Sequence, residues 1–408
     1  MSPSYGSLPN LASTLLAASL LTTILPPGYP AYIGAYCALA AAAAALLVYG
    51  WSERITFRHP TSLAIVSSVA LVTLTVPFGH RGGQDILAPI LILPMIVTIA
   101  LGMLARPATW VPSPTSFALL CLLASLLAFL GGVYEFYVLG VYRPGLGNNP
   151  IHYASLAAMA GCLAMVGVAV SESPWRYCFF LGPVFALGAA GIADSRGPVA
   201  GVLVMTGVGT LVLLVWLWRE TLFRVAVLAS LVLGSTAFAY LVGSGNTRVA
   251  GLLQSGLDIF RFTGGPDDIR AALYTSAFEA LRTSPIVGVG LGQIMVAAET
   301  NFPELVPQYG LENLHADWAN FAAMAGGLGL LAWLLLLAAP VLLLLDAGVR
   351  EQRPVVLGAI LLTTGQFVLG VSNTTFGILP QTMIYAVSLG YFLIQARQDR
   401  SDIGGEQR

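Results

Sequence analysis

The sequence contains no lysine and little charge of either sign. All eighteen basic residues are arginines, nineteen residues are acidic, and charged residues make up only 9% of the 408 positions. Hydrophobic residues account for 57%, and the mean hydropathy is +0.82. A soluble protein cannot cover its surface with so few charges, so the composition excludes that class. It predicts a chain that crosses a membrane many times as α-helices.

Other chemically informative features are also scarce. The four cysteines all fall in apolar segments, at spacings that match no metal site, and are expected to be small core residues. The sequence has no Walker or Rossmann glycine motif and no cluster of His, Asp and Glu with metal-ligand spacing. We therefore expect no metal, no other cofactor and no nucleic-acid partner.

The apolar segments predict an all-α, polytopic integral membrane protein with about twelve transmembrane helices. Short connections rich in proline and glycine separate them. The predicted spans are Leu8–Leu25, Ala31–Gly50, Thr61–Phe78, Ile86–Ala105, Ser116–Leu139, Ile151–Val170, Tyr177–Asp194, Pro198–Trp218, Val225–Val242, Ala316–Leu345, Val355–Val371 and Phe376–Gln395.

The arginines indicate the orientation of the chain. With both termini in the cytoplasm, eleven arginines lie on the inner side and seven on the outer side. This bias favours the orientation with both termini inside, because basic residues collect in cytoplasmic loops. The outer seven therefore need another explanation, for which an anionic ligand is the best candidate. They are Arg81, Arg143, Arg196, Arg248, Arg261, Arg270 and Arg282.

One long outer loop interrupts the regular alternation of spans. The predicted divisions are an N-terminal bundle of about nine helices at 1–242, the loop at 243–315, about three helices at 316–396 and a cytoplasmic tail at 397–408. Within the loop, Ile269, Leu273, Ala277 and Leu281 recur every four residues, which predicts an amphipathic helix on the membrane surface or against the spans. The glycines of 288–292 allow a close approach to a ligand or to another helix.

The outer arginines are candidates for binding phosphate. Arg196 lies in a tight turn between two spans, where it either pairs with Asp194 or grips phosphate through its planar guanidinium. Arg270 lies in the first turn of the loop helix, near Tyr274. It either binds phosphate or is an ordinary solvated charge on the helix surface. Arg143 and Arg81 are two further members of this basic rim.

His315 is the leading candidate for acid–base chemistry. It stands where the long loop re-enters the membrane, and imidazole is the side chain best suited to accept a proton near neutral pH. Glu312 shares a helical face with it if the helix starts early. The alternative is a histidine bonded to backbone or water. Glu135 is an acid apparently deep in a span, or else at that span's outer edge.

These motifs, in this order, resemble the O-antigen ligase and polymerase superfamily of bacterial envelope enzymes. The resemblance is strongest from Tyr177 to Ala339. It rests on Ser195-Arg196-Gly197, on Arg270 in a helix leading to Pro285-Ile286-Val287-Gly288-Val289-Gly290, and on His315 before Gly326-Gly327-Leu328-Gly329, with Arg143 and Asn148-Asn149-Pro150 also fitting.

The resemblance implies a GT-C-like glycosyltransferase of the bacterial inner membrane with a periplasmic active site. It would transfer a glycan from undecaprenyl pyrophosphate to a sugar hydroxyl, with inversion and without a metal. In this reading His315 is the general base, Arg196, Arg270 and Arg143 bind the pyrophosphate, and Asp194, Glu312, Tyr274 and Arg81 give support.

The two branches of the superfamily differ in the acceptor molecule that receives the glycan. A ligase uses lipid A–core, whereas a polymerase uses another lipid-linked glycan. One dominant periplasmic loop favours the ligase, because polymerases often have two, and here the loop after Gly370 has only about five residues. A non-catalytic transporter of lipid-linked glycans is a further alternative. The sequence leaves the oligomeric state open and is compatible with a monomer.

Overall fold

The computed structural model of the protein describes residues 8–79, 83–105, 109–170, 173–229, 232, 266–304 and 306–405. Every element in these ranges is a helix, which confirms the all-helical prediction. The α-helices are α1 (Leu8–Ile24), α2 (Pro30–Tyr49), α3 (Pro60–Gly79), α4 (Ile96–Gly102), α5 (Pro114–Tyr137), α6 (Pro150–Leu163), α7 (Leu181–Ile192), α8 (Arg196–Leu217), α9 (Pro266–Thr283), α10 (Ile294–Asn301), α11 (Asp317–Ala338), α12 (Arg353–Ser372) and α13 (Leu379–Gly405). A further helical stretch covers 221–229.

Short 3₁₀ helices extend or connect several of these elements. Because their i→i+3 hydrogen bonds have poorer geometry than those of an α-helix, 3₁₀ helices usually occur in short pieces, often at helix ends. They are Arg54–Arg58, Gly83–Leu91, Leu93–Met95, Ala164–Ala169, Pro174–Phe180, Leu291–Gln293, Val306–Tyr309, Val341–Leu345 and Ala347–Glu351.

The described residues contain nine helices that are long and apolar enough to cross a membrane. The chain is therefore a polytopic membrane protein, whereas the count of twelve spans stays a prediction. Of the predicted spans, 8–25 corresponds to a shorter apolar helix, Leu11–Ile24, and 376–395 to part of α13. The predicted span 225–242 lies mostly outside the described residues.

Small residues bring the first two helices into close contact. The buried face of α2 repeats Ala31, Ala35, Ala38 and Ala42, at helical spacing. A Cβ atom added to Gly34 would lie only 1.7 Å from the carbonyl oxygen of Thr22. The two backbones therefore pack at a distance that only small residues allow, as is common between membrane helices.

Two helices form the centre of the bundle. Every residue of α6 from Tyr153 to Leu163 is buried, and α6 packs against α5, α7, α8, α12 and α13. The second, α13, packs against α1, α2, α4 and α12. This helix continues through residue 397, where the sequence predicts the start of a tail. Arg397 is held there by residues of neighbouring elements. Its guanidinium donates to Gly102 O and Thr56 Oγ1 and lies 3.3 Å from the Glu53 carboxylate.

The loop after α9 pairs with a break in α11. The N–H groups of Val289 and Gly290 donate to the carbonyls of Ala323 and Met324, at 2.8 and 3.1 Å. In return, Gly327 donates to the Pro285 carbonyl, at 2.8 Å. This exchange satisfies backbone groups that the kink in α11 releases. The close approach expected of the 288–292 glycines is thus made to a helix.

Glycine is required on both sides of this pairing. Gly288 and Gly326 have φ of 71° and 61°, which side chains adopt at a cost. A Cβ on Gly288 would lie 2.5 Å from Ala323 O, and one on Gly326 would lie 2.5 Å from the Ile286 carbonyl carbon. The pairing fixes α9 against α11 and so fixes one wall of the candidate site.

Candidate active site

Three of the predicted arginines share one cavity. Arg143, Arg196 and Arg270 come from three separate parts of the chain and line a space of about 260 Å³ at one end of the bundle. The remaining lining residues are Ile151, Asp194, Ser195, Gly197, Pro198 and Ser372. Three guanidinium groups and one carboxylate leave a net positive site, which suits an anionic ligand.

Arg196 is the first residue of α8 and is exposed to the cavity. Ser195 precedes the helix in an extended conformation, and Pro198 occupies the first turn, where no N–H partner is needed. The N-terminal N–H groups of α8 therefore lie on the same side as the Arg196 side chain. Both contribute positive charge to the cavity.

Arg143 is held by the turn that precedes Arg196. Its Nε donates to the carbonyl of Ala193 at 3.3 Å, and its Nη2 donates to that of Asp194 at 3.4 Å. The loop that carries Arg143 is fixed in turn by Glu135, whose Oε2 accepts the N–H groups of Gly145 and Leu146, at 2.8 and 2.7 Å. Glu135 thus lies at the end of α5, where it shapes the cavity loop.

Arg270 reaches the cavity because α9 packs on the spans. Ile269, Leu273 and Ala277 are buried, as their spacing predicts. The ring of Tyr274 lies 5.2 Å from that of Trp318 in α11, and its hydroxyl donates to the Val371 carbonyl at 3.3 Å. Of the two predicted positions for this helix, the structure has the one against the spans.

Two of the three cavity arginines have no hydrogen-bond or ion-pair partner in the described part of the chain. Arg196 and Arg270 make no hydrogen bond or ion pair with any described residue, so the alternative pairing of Arg196 with Asp194 is not observed. By contrast, Arg176 pairs with Glu220, and Arg282 pairs with Glu279 at 3.0 Å. Two guanidinium groups that share one cavity and form no ion pair with a described residue suit the binding of an external anion.

His315 lies beside this cavity, half-buried. Its backbone N–H donates to Asn313 Oδ1 at 2.9 Å, and its Nδ1 lies 3.4 Å from Oδ1 of Asn373, the residue after the cavity-lining Ser372. Burial lowers the pKa of the imidazole from its usual value of 6.5. The hydrogen bond with Asn373 raises this pKa, and the charge of Arg270 lowers it. The lowered pKa favours the neutral imidazole, the form that can accept a proton.

Backbone strain is concentrated at this site. Among the described residues, the only non-glycine residues with positive φ are Leu146 (52°), Asp194 (49°) and His315 (54°). Leu146 lies in the Arg143 loop, Asp194 lies two residues before Arg196, and His315 is the candidate base. Such conformations cost about 1–3 kcal/mol each and persist where the surrounding structure fixes them for a function.

Several polar residues of the site were missed by the sequence analysis. Asp317 is fully buried and binds the loop after α12, which carries Asn373, Thr374 and Thr375. His152, at the start of α6, interacts electrostatically with His315. The run Ser372-Asn373-Thr374-Thr375 directly after an apolar span was the available signal, but only the length of that loop was considered.

One predicted supporting residue, Glu312, does not line the cavity, and another, Arg81, cannot be placed relative to it. Glu312 is exposed, and α11 begins only at Asp317, so Glu312 and His315 do not share a helical face as an early helix start would require. Arg81 lies outside the described residues. Asp194 and Tyr274 are close to the arginines, as described above. Within the described ranges, no three His, Cys, Asp or Glu side chains form a group that could hold a metal ion.

Comparison with known proteins identifies the central part of the chain. No curated protein matches the sequence. A protein-family model described as O-antigen ligase matches residues 181–334, which run from α7 to α11 and include Arg196, Arg270 and His315. Arg143 and Asn373 lie outside the matched segment. The match supports the resemblance of the motifs: residues 181–334 are similar to the O-antigen ligase family.

Proposed function

We propose that this protein is an O-antigen ligase. In this proposal it transfers a polysaccharide from undecaprenyl pyrophosphate to a sugar hydroxyl of lipid A–core at the periplasmic face of the bacterial inner membrane. The observation that carries the proposal is the convergence of Arg143, Arg196 and Arg270 in one cavity beside His315. Similarity to the O-antigen ligase family supports a glycosyltransferase-like enzyme that acts on lipid-linked glycans.

The arginines answer the electrostatic demand of the leaving group. As the bond from the anomeric carbon to the pyrophosphate oxygen breaks, negative charge grows on the lipid pyrophosphate. Guanidinium groups already oriented toward that charge stabilise the transition state more than the ground state. Arg196 and Arg270 have no carboxylate partner among the described residues, so their donors are available for this purpose. Such charge compensation makes a metal ion unnecessary.

His315 supplies the proton acceptor. The acceptor hydroxyl oxygen attacks the anomeric carbon from the face opposite the pyrophosphate, and its proton passes to the imidazole. A new glycosidic bond forms with inversion, and undecaprenyl pyrophosphate leaves. General-base catalysis of this kind contributes about 10²–10⁴-fold to the rate. Its requirement for a neutral imidazole is compatible with the lowered pKa of His315.

The acceptor is tested by the lipopolysaccharide profile of the native host. We expect deletion of the gene to leave only bare lipid A–core while lipid-linked polymer accumulates. Wild-type protein should restore the ladder of O-antigen-bearing bands. His315→Ala should not restore it, although this variant should insert in the membrane normally. A surviving band of core plus one repeat unit would instead identify a polymerase. An unchanged ladder with His315→Ala would contradict the assignment of the base.

A further inference from the structure

The His315 ring is in contact with an amide that can distinguish its two nitrogens. Nδ1 of His315 lies 3.4 Å from Oδ1 of Asn373. With the amide oxygen of Asn373 facing the ring, Nδ1 carries the proton in this contact, because an amide oxygen only accepts hydrogen bonds, and Nε2 keeps its lone pair. The opposite tautomer would protonate Nε2 and leave that nitrogen unable to accept a proton from a substrate.

We propose that Asn373 is a positioning residue that holds His315 in the tautomer whose Nε2 accepts the proton of the acceptor hydroxyl. The inference rests on the proposed function, because it assumes that His315 is the base. It adds a residue that lies outside the segment matched to the superfamily. It also assigns the reacting nitrogen.

The loop that carries Asn373 is anchored by a buried carboxylate. Asp317 Oδ1 accepts the N–H groups of Thr375 and Phe376, at 2.7 and 3.0 Å, and its Oδ2 accepts the Thr375 hydroxyl. Gln366 donates to the same hydroxyl oxygen at 2.6 Å. Asp317 is fully buried, so this network is shielded from water and constrains the loop strongly.

A second contact links the loop directly to the histidine. Asn313 Oδ1 accepts both the backbone N–H of His315, at 2.9 Å, and the hydroxyl of Thr374, at 2.7 Å. Asn320 donates to that hydroxyl oxygen and accepts the N–H of Leu314, both at 2.9 Å. One amide therefore ties the backbone of His315 to the residue next to Asn373. The separation of the imidazole and the Asn373 amide is fixed from both sides.

Asn373 does not behave like a residue kept for packing alone. Its side chain is 3% exposed, and its Nδ2 has no hydrogen-bond partner among the described residues. A buried amide with one unpaired end is destabilising relative to an apolar side chain of similar shape. The benefit must therefore come from the other end, and Oδ1 contacts His315.

Two other groups lie within electrostatic range of this imidazole. Arg270 approaches from α9 and His152 from α6, whereas the Asp317 carboxylate of α11 is engaged by Thr375 and Phe376. Arg270 disfavours a positive charge on His315, whereas His152 is itself affected by the charge of His315. Asn373 is the described partner that stabilises the protonated ring, so substitutions at 373 should have a recognisable effect on pH dependence.

The first experiment compares three variants in the full-length, reconstituted protein. Asn373→Leu keeps the branched shape but loses the hydrogen-bond acceptor, and Asn373→Asp keeps that acceptor and adds charge. Asn301→Asp adds the same charge at an exposed position at the end of α10. The rate of glycan transfer is measured against pH, with kcat and the donor KM determined separately.

We expect Asn373→Leu to lower kcat by about 10–100-fold, with the donor KM little changed and the acid limb moved to lower pH. Asn373→Asp should keep most of the activity at high pH and move the acid limb upward by about one unit, because a carboxylate favours imidazolium. Asn301→Asp should match the wild type. Wild-type kcat and pH dependence in Asn373→Leu, or equal losses without a shift in both 373 variants, would overturn the proposal.

A second measurement does not depend on activity. With ¹⁵N-labelled histidine, NMR distinguishes protonated Nδ1 from protonated Nε2, and the His315 signals are those absent in His315→Gln. We expect protonated Nδ1 in the wild type and a substantial population of protonated Nε2 in Asn373→Leu. An unchanged tautomer would refute the role of Asn373. If His315→Ala keeps full activity while Asn373→Leu changes the tautomer of His315, the proposed base is refuted but the positioning by Asn373 is not.

Discussion

Arg143 donates a hydrogen bond from Nε to the carbonyl oxygen of Ala193, at 3.3 Å, and so joins two loops that are far apart in the sequence. This contact holds the turn that leads into Arg196. Arg143 also contacts that turn through the Asp194 carbonyl. Arg143 therefore has two tasks: it contributes charge to the cavity, and it holds the neighbouring arginine in position.

Substitution of Arg143 should consequently affect donor binding in two ways. We expect Arg143→Ala to raise the donor KM by about tenfold or more, since it removes a charge and two charge-assisted hydrogen bonds. Arg143→Lys should behave almost like alanine, because a single ammonium does not reproduce the planar arrangement of donors. Donor titrations of the reconstituted protein check this, and full recovery with lysine would argue that only charge matters.

Arg196 should be more sensitive, because it has no described protein partner to replace the ligand. We expect Arg196→Ala to weaken donor binding by about 1.5–3 kcal/mol, or about 10–100-fold, and Arg196→Lys to recover only part of that. Arg282→Ala is the control, as that exposed arginine lies on α9, the helix that carries Arg270, but pairs with Glu279. Equal effects at 196 and 282 would mean that the cavity has no special role.

The pH dependence of transfer should follow the pKa of His315. The base works only when deprotonated, so activity should be full at neutral pH and fall as the pH drops through a pKa below 6.5. Arg270→Gln removes a charge that lowers this pKa, so its acid limb should move to higher pH. Rate–pH profiles at saturating donor measure both. A shift to lower pH in Arg270→Gln would contradict the electrostatic link between the two residues.

The pairing of α9 with the break in α11 should be required for a folded site. Gly288→Ala forces a Cβ atom to within 2.5 Å of the Ala323 carbonyl oxygen and adds strain at positive φ. We expect a loss of at least about 1–3 kcal/mol in stability and weaker donor binding, because Arg270 moves with α9. Gly207→Ala is the control, since nothing lies within 4 Å of its added Cβ. Equal melting temperatures for the two variants would be inconsistent with this role.

If arginines alone compensate the charge of the pyrophosphate, chelation of metal ions should not affect the transfer activity. Activity should be unchanged after exhaustive treatment with EDTA, because the proposed chemistry has no step that needs a divalent cation. The measurement is transfer by purified protein before and after dialysis against the chelator. Loss of activity that magnesium restores would contradict the proposal that arginines alone stabilise the leaving group.

The periodic features of the chain were predictable from sequence because they depend on local physics. Composition and apolar run length identified the spans, and the four-residue spacing of Ile269, Leu273 and Ala277 identified the buried face of α9. Charge bias drew attention to Arg143, Arg196 and Arg270, because arginines outside a membrane lack a topological reason. The structure brings these three together in the cavity.

The residues that the sequence analysis missed depend on long-range contacts. Asp317 and Thr375 are 58 positions apart, and no local pattern reveals that the carboxylate binds this loop. The early helix start that would place Glu312 and His315 on one face was wrong for the opposite reason: a local helical rule was applied to residues that precede the helix. The break in α11 was equally hidden, because its backbone partners lie in the loop after α9.

The most direct measurement is glycan transfer in proteoliposomes with purified protein, an undecaprenyl-pyrophosphate-linked glycan and lipid A–core. We expect the wild type to form glycosylated lipid A–core and release undecaprenyl pyrophosphate in equal amounts. His315→Ala and Arg196→Ala should insert normally and fail to do so. Transfer at the wild-type rate by His315→Ala, or no transfer to lipid A–core by the wild type under conditions where lipid-linked glycans are joined, would contradict the assignment as a ligase.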